Sequence, residues 1–514
     1  MSDNIPLFKV NMADDLNEVI NTLQSGMITQ GKKVEEFEEE LKEYFNYQYI
    51  LTLNSATSGL TLAYYLLELD KSTDYVISTP LTCFATNSSI LSNNLPIIWA
   101  DTDINTCNID LDDVKSKINI NTRVLSFVHW GGNPVDLNKV EELKNYAKNK
   151  YGRELFVIED CAHAFGSEFN SKKLGTYGNI CVFSLQAIKH LTSGDGGLIF
   201  LPNEELYKKA KLLRWFGIDR ERRSLKGSDF RLEPDIPVYG FKYHMNDINA
   251  TIGLTNLRYL IKNNILEKYI RNGIYYNENL NNIFGIELFN YNNNNKVPYW
   301  IYTIKVLFNR KKEFIEFMKE KGIVVSQVHA RNDFHSCLLK YRTKLNNLDN
   351  IEKQIVSIPV GFWINENERK YIVDCIKEFS QKLQITTLSI NDIEEYSRLL
   401  IQLNNFYSIN KNLSDNSLKS IYVIKLNDVI ICSAKLVIEE KLYEPIGHIE
   451  DVVTDIMYRG CGYGKHLIKH LIDISFNNFC CYKIVLNCKD DLNDFYSSCG
   501  LTKTGLSFSK YKKK

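Results

Sequence analysis

Through its first 380 residues the chain alternates short, nearly continuous apolar runs with amphipathic stretches of helical period. The apolar runs are YILTLNS (49–55), DYVIST (74–79), LPIIWAD (95–101), RVLSFVHW (123–130), ELFVIED (154–160) and GLIFL (197–201). Runs of this kind are buried on both faces. The helices between them supply the crossovers of a mainly parallel sheet, so the expected fold class is α/β. In such sheets ligands bind beyond the carboxyl ends of the strands, where Ser55, Asp101, His129 and Asp160 fall. From about residue 256 long helices take over, and a mixed segment ends at YIVDCIKEFSQKL (371–383), which reads as a smaller lobe over 256–383.

A fresh pattern opens at ITTLSINDIEEYSRLLIQL (385–403): a strand, a helix cap at Ser389 or Asn391, then a helix. SIYVIKLNDVIICSAKLVIEE (420–440) reads as a hairpin turning at Asn427-Asp428. The division expected from these patterns is residues 1–383 and 384–514, with the boundary near 382–386.

Composition narrows the partners. The 62 basic and 62 acidic residues balance, so nothing draws the chain generally toward nucleic acid or an anionic membrane. No run reaches the ~18 apolar residues of a membrane span. The opening MSDNIPLFKV lacks the basic and apolar regions of a secretory signal. The 12 cysteines form no C-x-x-C pair, which argues against zinc ribbons or a disulfide framework and makes a reducing cytoplasm the expected location. NYNNNNKV (290–297) is a low-complexity run of surface-loop type.

Three segments carry candidate chemistry: VIEDCAHAFGSEF (157–169), SLQAIKH (184–190) and NSATSGL (54–60). Asp160 ends a buried strand, where a carboxylate is costly without a cation. A protonated pyridine nitrogen would be such a cation. Ser184 and Lys189 pair a phosphate-binding hydroxyl with an aldehyde-reactive amine. Thr57 and Ser58 lie where a strand gives way to a helix, a natural anion site. Aldehyde, pyridinium and phosphate are the three handles of pyridoxal phosphate (PLP). Each residue alone has an ordinary use as a cap or a solvated charge; their order and spacing together carry the reading.

Residues 5–380 resemble the DegT-type nucleotide-sugar aminotransferases, a PLP-dependent family of fold type I. The likeness lies in IPLF (5–8), NSATSGLTLA (54–63), TPLTCFATNSSIL (79–91), VHWGGNPVD (128–136), the run from Ile158 to Gly197, LRWFGIDR (213–220) and YGFKYHMNDINATIGL (239–254). The resemblance implies that Lys189 bonds the cofactor aldehyde and moves protons, that Asp160 pairs with the ring nitrogen, and that Thr57, Ser58 and Ser184 hold the phosphate. It puts His163 near the ring. Some relatives that act as dehydratases carry His five residues after the serine; here that position is Lys189, with His190 one later, which favours transamination.

Two positions depart from the family pattern. Lys242 in GFKYHM stands where G-x-N-x-R-M has an Asn that reaches the neighbouring subunit's phosphate, and Cys83 stands where T-F-x-A-T has an aromatic. The cross-subunit contact implies a homodimer. The implied substrates are a nucleotide-linked 4-keto-6-deoxy sugar and glutamate as amino donor. SQVHARNDFH (326–335), with His329, is either part of the sugar pocket or a plain loop.

RGCGYGK (459–465) follows the apolar run IEDVVTD and opens an amphipathic helix, which makes an anion cradle of backbone N–H groups and helix dipole. The spacing G-x-G-x-G is not a dinucleotide fingerprint, and no Ser or Thr follows Lys465 as a Walker A lysine requires. R-x-x-G-x-G instead resembles the pyrophosphate loop of GCN5-related N-acetyltransferases (GNAT). Residues 385–510 resemble that family, most closely glucosamine-6-phosphate N-acetyltransferase, on GHIEDVV, YRGCGYGKHLIKHLI, CYKIVLNC and FYSSCGL in that order.

The resemblance implies that acetyl-CoA binds Arg459, Gly460, Gly462, Gly464 and Lys465, with the Val453 backbone along the pantetheine. Tyr496 would protonate the leaving thiolate, and Glu450 and Asp451 would face the acceptor. Leu492 replaces a usual Asn. His466 and His470 share a helix face but lack the Glu of H-E-x-x-H and a third ligand, so they read as surface residues and no metal site is expected.

One part would thus make a sugar amine and the other would acetylate one. The expectation is consecutive amination and N-acetylation. The alternatives are an acetyltransferase acting independently on an amino-sugar phosphate, and a dehydratase first domain.

Overall fold

The computed structural model describes residues 4–219, 236, 238–292, 294–403 and 418–504. The apolar run ILTL forms β1 (Ile50–Leu53), buried at every position. Ser55 then ends the strand and starts helix α1 (Ala56–Leu66), its Oγ accepting from the Ser58 N–H at 3.1 Å.

The large sheet continues with β2 (Tyr75–Ser78), β3 (Ile97–Trp99), β4 (Thr122–Val128), β5 (Phe156–Asp160), β6 (Ile180–Ser184) and β7 (Gly197–Phe200). Its spatial order is β1-β7-β6-β5-β4-β2-β3. Strands β3, β2, β4, β5 and β6 run parallel, as the apolar runs predict. Strand β7 is antiparallel to both neighbours. The reason is local: residues 185–196 join β6 to β7 without a helix, and a connection lacking a crossover must reverse the chain. That return segment carries Lys189. At its end Gly197 lies so close to α1 that a Cβ would stand 2.5 Å from the Ala56 nitrogen, so only glycine lets β7 pass the helix start.

Two compact units result. The first comprises 1–281, 288–305 and 315–373, and the second 282–287, 306–314 and 374–514. Beside the large sheet, the first unit holds an antiparallel pair in which Tyr302–Lys305 of β8 (Tyr302–Val306) meets Ile355–Ile358 of β9 (Ile355–Ile358).

The second unit is built on a five-stranded sheet in chain order: β10 (Leu383–Thr387), β11 (Ile421–Leu426), β12 (Val429–Glu439), β13 (Ile446–Thr454) and β14 (Lys483–Val485). Asn427 and Asp428 both take positive φ (50° and 65°) and make the expected tight hairpin between β11 and β12. Ser389 caps with Asp392 in a reciprocal box before helix α2 (Ile393–Ile401). Strand alternation sends Ile424, Cys432, Ala434, Leu436 and Ile449 to the face packed by helix α3 (Tyr463–Asn477). Ile421, Val423, Ile430 and Val453 go to the face packed by α2. The last strand is shorter than the run YKIVLNC suggests.

A buried ion pair ties β1 to neighbouring segments in the first unit. Glu38 accepts from Thr52 N (2.9 Å) and Thr52 Oγ1 (2.7 Å) and pairs with the guanidinium of Arg214, which also donates to Thr52 O at 3.0 Å. Replacing Glu38 with Ala strands a buried guanidinium. Urea denaturation followed by circular dichroism is expected to register a loss of about 3–5 kcal/mol.

Candidate active sites

The carboxyl ends of β4 and β5 and the return segment after β6 converge on a cluster of polar groups. Asp160, the last residue of β5, is buried. Its Oδ2 accepts from Thr86 Oγ1 at 2.6 Å and its Oδ1 from the Ala162 N–H at 3.0 Å. Both donors are neutral, and burial raises the carboxyl pKa above its ordinary value despite those bonds and the nearby positive charge of Lys189. Thr86 lies in the first turn of a helix, Phe84–Ser92, that starts at Cys83 and is linked back to Thr82 by a 2.8 Å hydroxyl pair.

The Lys189 amine rests 3.3 Å from the centroid of the Trp300 ring. Burial is the largest influence on it and lowers its pKa to about 7, against the opposing pull of Asp160 and Cys83. Trp300 is itself fixed. Its indole N–H donates to Ile188 O at 2.9 Å, and its ring stacks on His163 (centroids 3.9 Å apart) and Phe8 (5.1 Å). His163 is buried, and its Nε2 lies 3.3 Å from His329 Nε2 with the rings nearly parallel at 7°. Burial and neighbouring positive charge hold His163 well below the usual imidazole range and His329 down to about 4, so both rings are neutral at neutral pH.

His190 belongs elsewhere. It is buried against Tyr269, its Nε2 is 3.3 Å from Pro298 O, and burial lowers its pKa to about 3. Of the two adjacent candidate bases, only Lys189 joins the cluster. The other strand-end residues separate in the same way. Asp101 accepts from Asn347 N and Leu348 N, both at 2.9 Å, and caps a short helix. His129 pairs through Nε2 with Glu159 at 2.8 Å, and its Nδ1 accepts from the Val135 N–H at 3.0 Å. With Cys161 these form a buried trio whose ligand-type atoms lie within 4.8 Å, but Glu159 also accepts from Asn179 Nδ2 at 2.7 Å, so the fold uses these atoms for its own hydrogen bonds.

Ser55, Thr57 and Ser58 lie at the N-terminus of α1; Thr57 is exposed, and the Ser58 hydroxyl is 2.9 Å from Ser55 Oγ. Ser184 ends β6 half-buried and accepts from the Gln186 N–H at 3.3 Å. Lys242 is exposed, its backbone carbonyl accepting from Asn54 Nδ2 at 3.3 Å. This donor set suits a phosphorylated pyridine aldehyde: a buried carboxylate with only neutral donors for a ring N–H⁺, an amine that can be neutral near pH 7, and hydroxyls at a helix N-terminus for a phosphate. Trp300 and Thr86 are the contributors that sequence reasoning missed. Trp300 lies in no motif, whereas Thr86, four residues after Thr82 at a helix start, had a readable spacing.

In the second unit, β14 pairs with β13 only from Ile446–Lys483 to His448–Val485. Among the described residues, β13 beyond His448 has no strand partner on that side, so Val453 lies on an open edge and pairs only with Ser433 of β12. Asp451 takes a positive φ (49°) where the β12–β13 register shifts, a bulge that turns the strand; Glu450 beside it is exposed and 3.1 Å from Lys435 Nζ.

After β13, Arg459 donates from Nε to Thr454 O at 3.0 Å. Gly460 and Gly462 adopt φ of 78° and 97°, and Gly462 caps α3, so the loop presents backbone N–H groups at a helix N-terminus. Gly464 and Lys465 lie in the first turn; a Cβ on Gly464 would stand 3.0 Å from Thr454 Oγ1. Tyr496, on the helix Asn493–Ser498, lines a cavity of about 480 Å³ with Leu486, Asn487 and Cys488, and burial pushes its pKa up to about 12. The arrangement suits acetyl-CoA: an anion cradle, an open strand edge to pair with an amide-bearing chain, and a hydroxyl that stays protonated. His466 is not the surface residue its spacing suggests. It is half-buried against Phe284 and Phe308, and burial lowers its pKa.

Residues 10–377 match the DegT/DnrJ/EryC1/StrS aminotransferase family, and residues 384–501 match the acetyltransferase (GNAT) family. Over 379 residues the chain is 31% identical to a UDP-4-amino-4,6-dideoxy-N-acetyl-β-L-altrosamine transaminase of Campylobacter jejuni, covering 72% of this chain and 96% of that one. Among solved structures it is similar to AtS13 from Actinomadura melliaura (40% identity, TM-score 0.70) and to the sugar aminotransferase CalS13 from Micromonospora echinospora (37%, 0.69); each match covers 73% of this chain and 99% of the other. The cofactors are pyridoxal phosphate for the first family and acetyl-CoA for the GNAT domain.

The Lys189 environment has a direct consequence. Only the neutral amine attacks an aldehyde, so the rate at which the cofactor-free protein takes up pyridoxal phosphate should rise with pH through a midpoint near 7 rather than near the ordinary lysine value. Stopped-flow absorbance measures it. Trp300→Leu, which removes the surface holding the amine, is expected to alter the midpoint and slow uptake about tenfold.

Proposed function

We propose, because the chain belongs to the DegT/DnrJ/EryC1/StrS aminotransferase family and carries a C-terminal GNAT domain, that it performs two consecutive reactions on one nucleotide sugar. The first replaces the C4 ketone of a nucleotide-linked 4-keto-6-deoxy sugar with an amine taken from glutamate. The second acetylates that amine. The observation that carries the reading is the presence on one chain of a sugar-aminotransferase stretch, 10–377, directly followed by an acetyltransferase stretch, 384–501. The same observation supports a division of the chain near residue 383. The likeness to a transaminase named for a UDP-4-amino-4,6-dideoxy sugar supports amination at C4.

Bound pyridoxal phosphate supplies an aldehyde that can carry an amino group and a ring that withdraws electrons. The residues supply the rest. With a pKa of about 7, the Lys189 amine can both accept and return a proton at neutral pH, as movement of hydrogen on and off the substrate carbon requires. The Asp160 carboxylate, oriented by Thr86 and Ala162, would hold a proton on the ring nitrogen. The neutral rings of His163 and His329 offer hydrogen-bonding edges without repelling a cationic ring. Retention of Lys189 argues against the dehydratase alternative.

In the acetyl transfer, the open edge of β13 at Val453 and the Arg459–Lys465 loop would hold acetyl-CoA. Glu450 and Asp451, at the bulge on that strand, would receive the ammonium proton of the acceptor. Tyr496 stays protonated at working pH and would donate a hydrogen bond to the departing thiolate.

We also propose a homodimer. Leu16, Ile20 and Leu23 recur at helical spacing from the N-cap along the Asn17–Ser25 helix, and Met27 follows beyond the left-handed Gly26; all four are exposed, an apolar patch that a second copy would cover.

Incubation with pyridoxal phosphate, glutamate and a UDP-4-keto-6-deoxyhexose, followed by mass spectrometry, should yield an amino sugar without acetyl-CoA and an acetamido sugar with it. Lys189→Ala should abolish amine formation while still acetylating a supplied 4-amino sugar. Tyr496→Phe should leave amination intact and slow acetylation about 10²-fold. An amine that persists in the presence of acetyl-CoA would assign the GNAT domain a different acceptor.

A further inference from the structure

The acetyl-CoA loop is braced from outside its own domain sequence. Residues 306–314 fall inside the stretch that matches the aminotransferase family yet belong to the second compact unit. There the chain makes two successive left-handed residues, Phe308 (φ 62°) and Asn309 (φ 59°). This conformation is unfavourable for a phenylalanine and is kept only where surrounding contacts hold it.

The contacts that hold it lead to the Arg459–Lys465 loop. The Phe308 ring lies flat on Tyr463, with centroids 4.3 Å apart and planes at 11°, and meets His466 edge-on at 5.5 Å. Phe308 and Tyr463 are both buried. Phe284, from residues 282–287 of the same unit, closes on His466 at 4.8 Å. One residue on, the exposed Asn309 donates from Nδ2 to Cys461 Sγ at 3.3 Å. The segment therefore touches the loop at Cys461 and Tyr463, the two residues interleaved with Gly460, Gly462 and Gly464.

Those glycines are what make a brace useful. Gly460 and Gly462 take positive φ (78° and 97°) with open space where a Cβ would stand, so no side chain of their own fixes these positions. A loop that is ordered only when ligand arrives gives up affinity to that ordering.

We propose that Phe308 and Asn309 are positioning residues for acetyl-CoA. They act through Tyr463 and Cys461 to hold the pyrophosphate loop in its binding geometry before the ligand arrives. The proposal rests on the GNAT domain binding acetyl-CoA, and it makes the acetyltransferase site dependent on residues of the preceding stretch.

The test is isothermal titration of acetyl-CoA into the full chain carrying pyridoxal phosphate. Phe308→Leu, which keeps apolar volume but loses the stacked ring, should weaken binding about tenfold, and Phe308→Tyr should restore it. Asn309→Gly, which keeps the left-handed backbone at an exposed position, should weaken binding about threefold without lowering the unfolding temperature. In steady state the KM for acetyl-CoA should rise by the same factors while kcat holds. Affinities of Phe308→Leu and Asn309→Gly within about twofold of wild type would overturn the proposal. So would a Phe308→Tyr chain as weak as Phe308→Leu, because the defect would then be general loosening. Wild type is titrated first; if it fails to bind acetyl-CoA, the GNAT reading falls and the positioning role falls with it.

Discussion

The burial of the Asp160 carboxylate is the constraint from which the first site follows. Parallel strands covered on both faces bury the last residue of β5, where two neutral donors hydrogen-bond its carboxylate and the Lys189 amine is the nearby positive charge. Such a group is stable as an anion only beside positive charge. A protonated pyridine nitrogen would meet that need, which is the part proposed for Asp160. The same burial lowers the pKa of Lys189 to about 7. Burial thus raises the pKa of an acid and lowers that of a base.

The second site rests on a different device. Strands β13 and β14 pair at one end and then part, which leaves backbone on β13 open to an amide-bearing ligand. Beyond the open edge, left-handed glycines and a helix N-terminus gather N–H groups for a pyrophosphate. In the proposed reading binding is backbone work, and the side chains would steer protons: Tyr496, kept neutral by burial, and the carboxylates at the bulge.

Much of this was legible because it depends on local rules. Continuous apolar runs gave the buried strands, Asn427-Asp428 gave the hairpin, and a cap at Ser389 or Asn391 gave a helix start, which the structure assigns to Ser389. The choice of Lys189 over His190 came from the family resemblance, which implies the reactive residue five after the serine, and the structure separates the two residues physically by burying His190 against Tyr269. The parts that escaped depend on contacts between distant segments. The reversal of β7 follows from the lack of a helix in residues 185–196 rather than from its composition. Trp300 lies more than 100 residues from Lys189 in sequence, in a segment that has no motif. His466 read as a surface residue because the phenylalanines that cover it, Phe284 and Phe308, come from more than 150 residues earlier in the chain.

Both reactions are proposed to act on the same sugar molecule. The most direct measurement supplies nitrogen-labelled glutamate and carbon-labelled acetyl-CoA together with a nucleotide 4-keto-6-deoxy sugar and reads the product by mass spectrometry and NMR. One product is expected, in which the labelled acetyl group is bonded to the labelled nitrogen at C4. A labelled amine with no acetyl group, alongside labelled acetate on some other molecule, would contradict it.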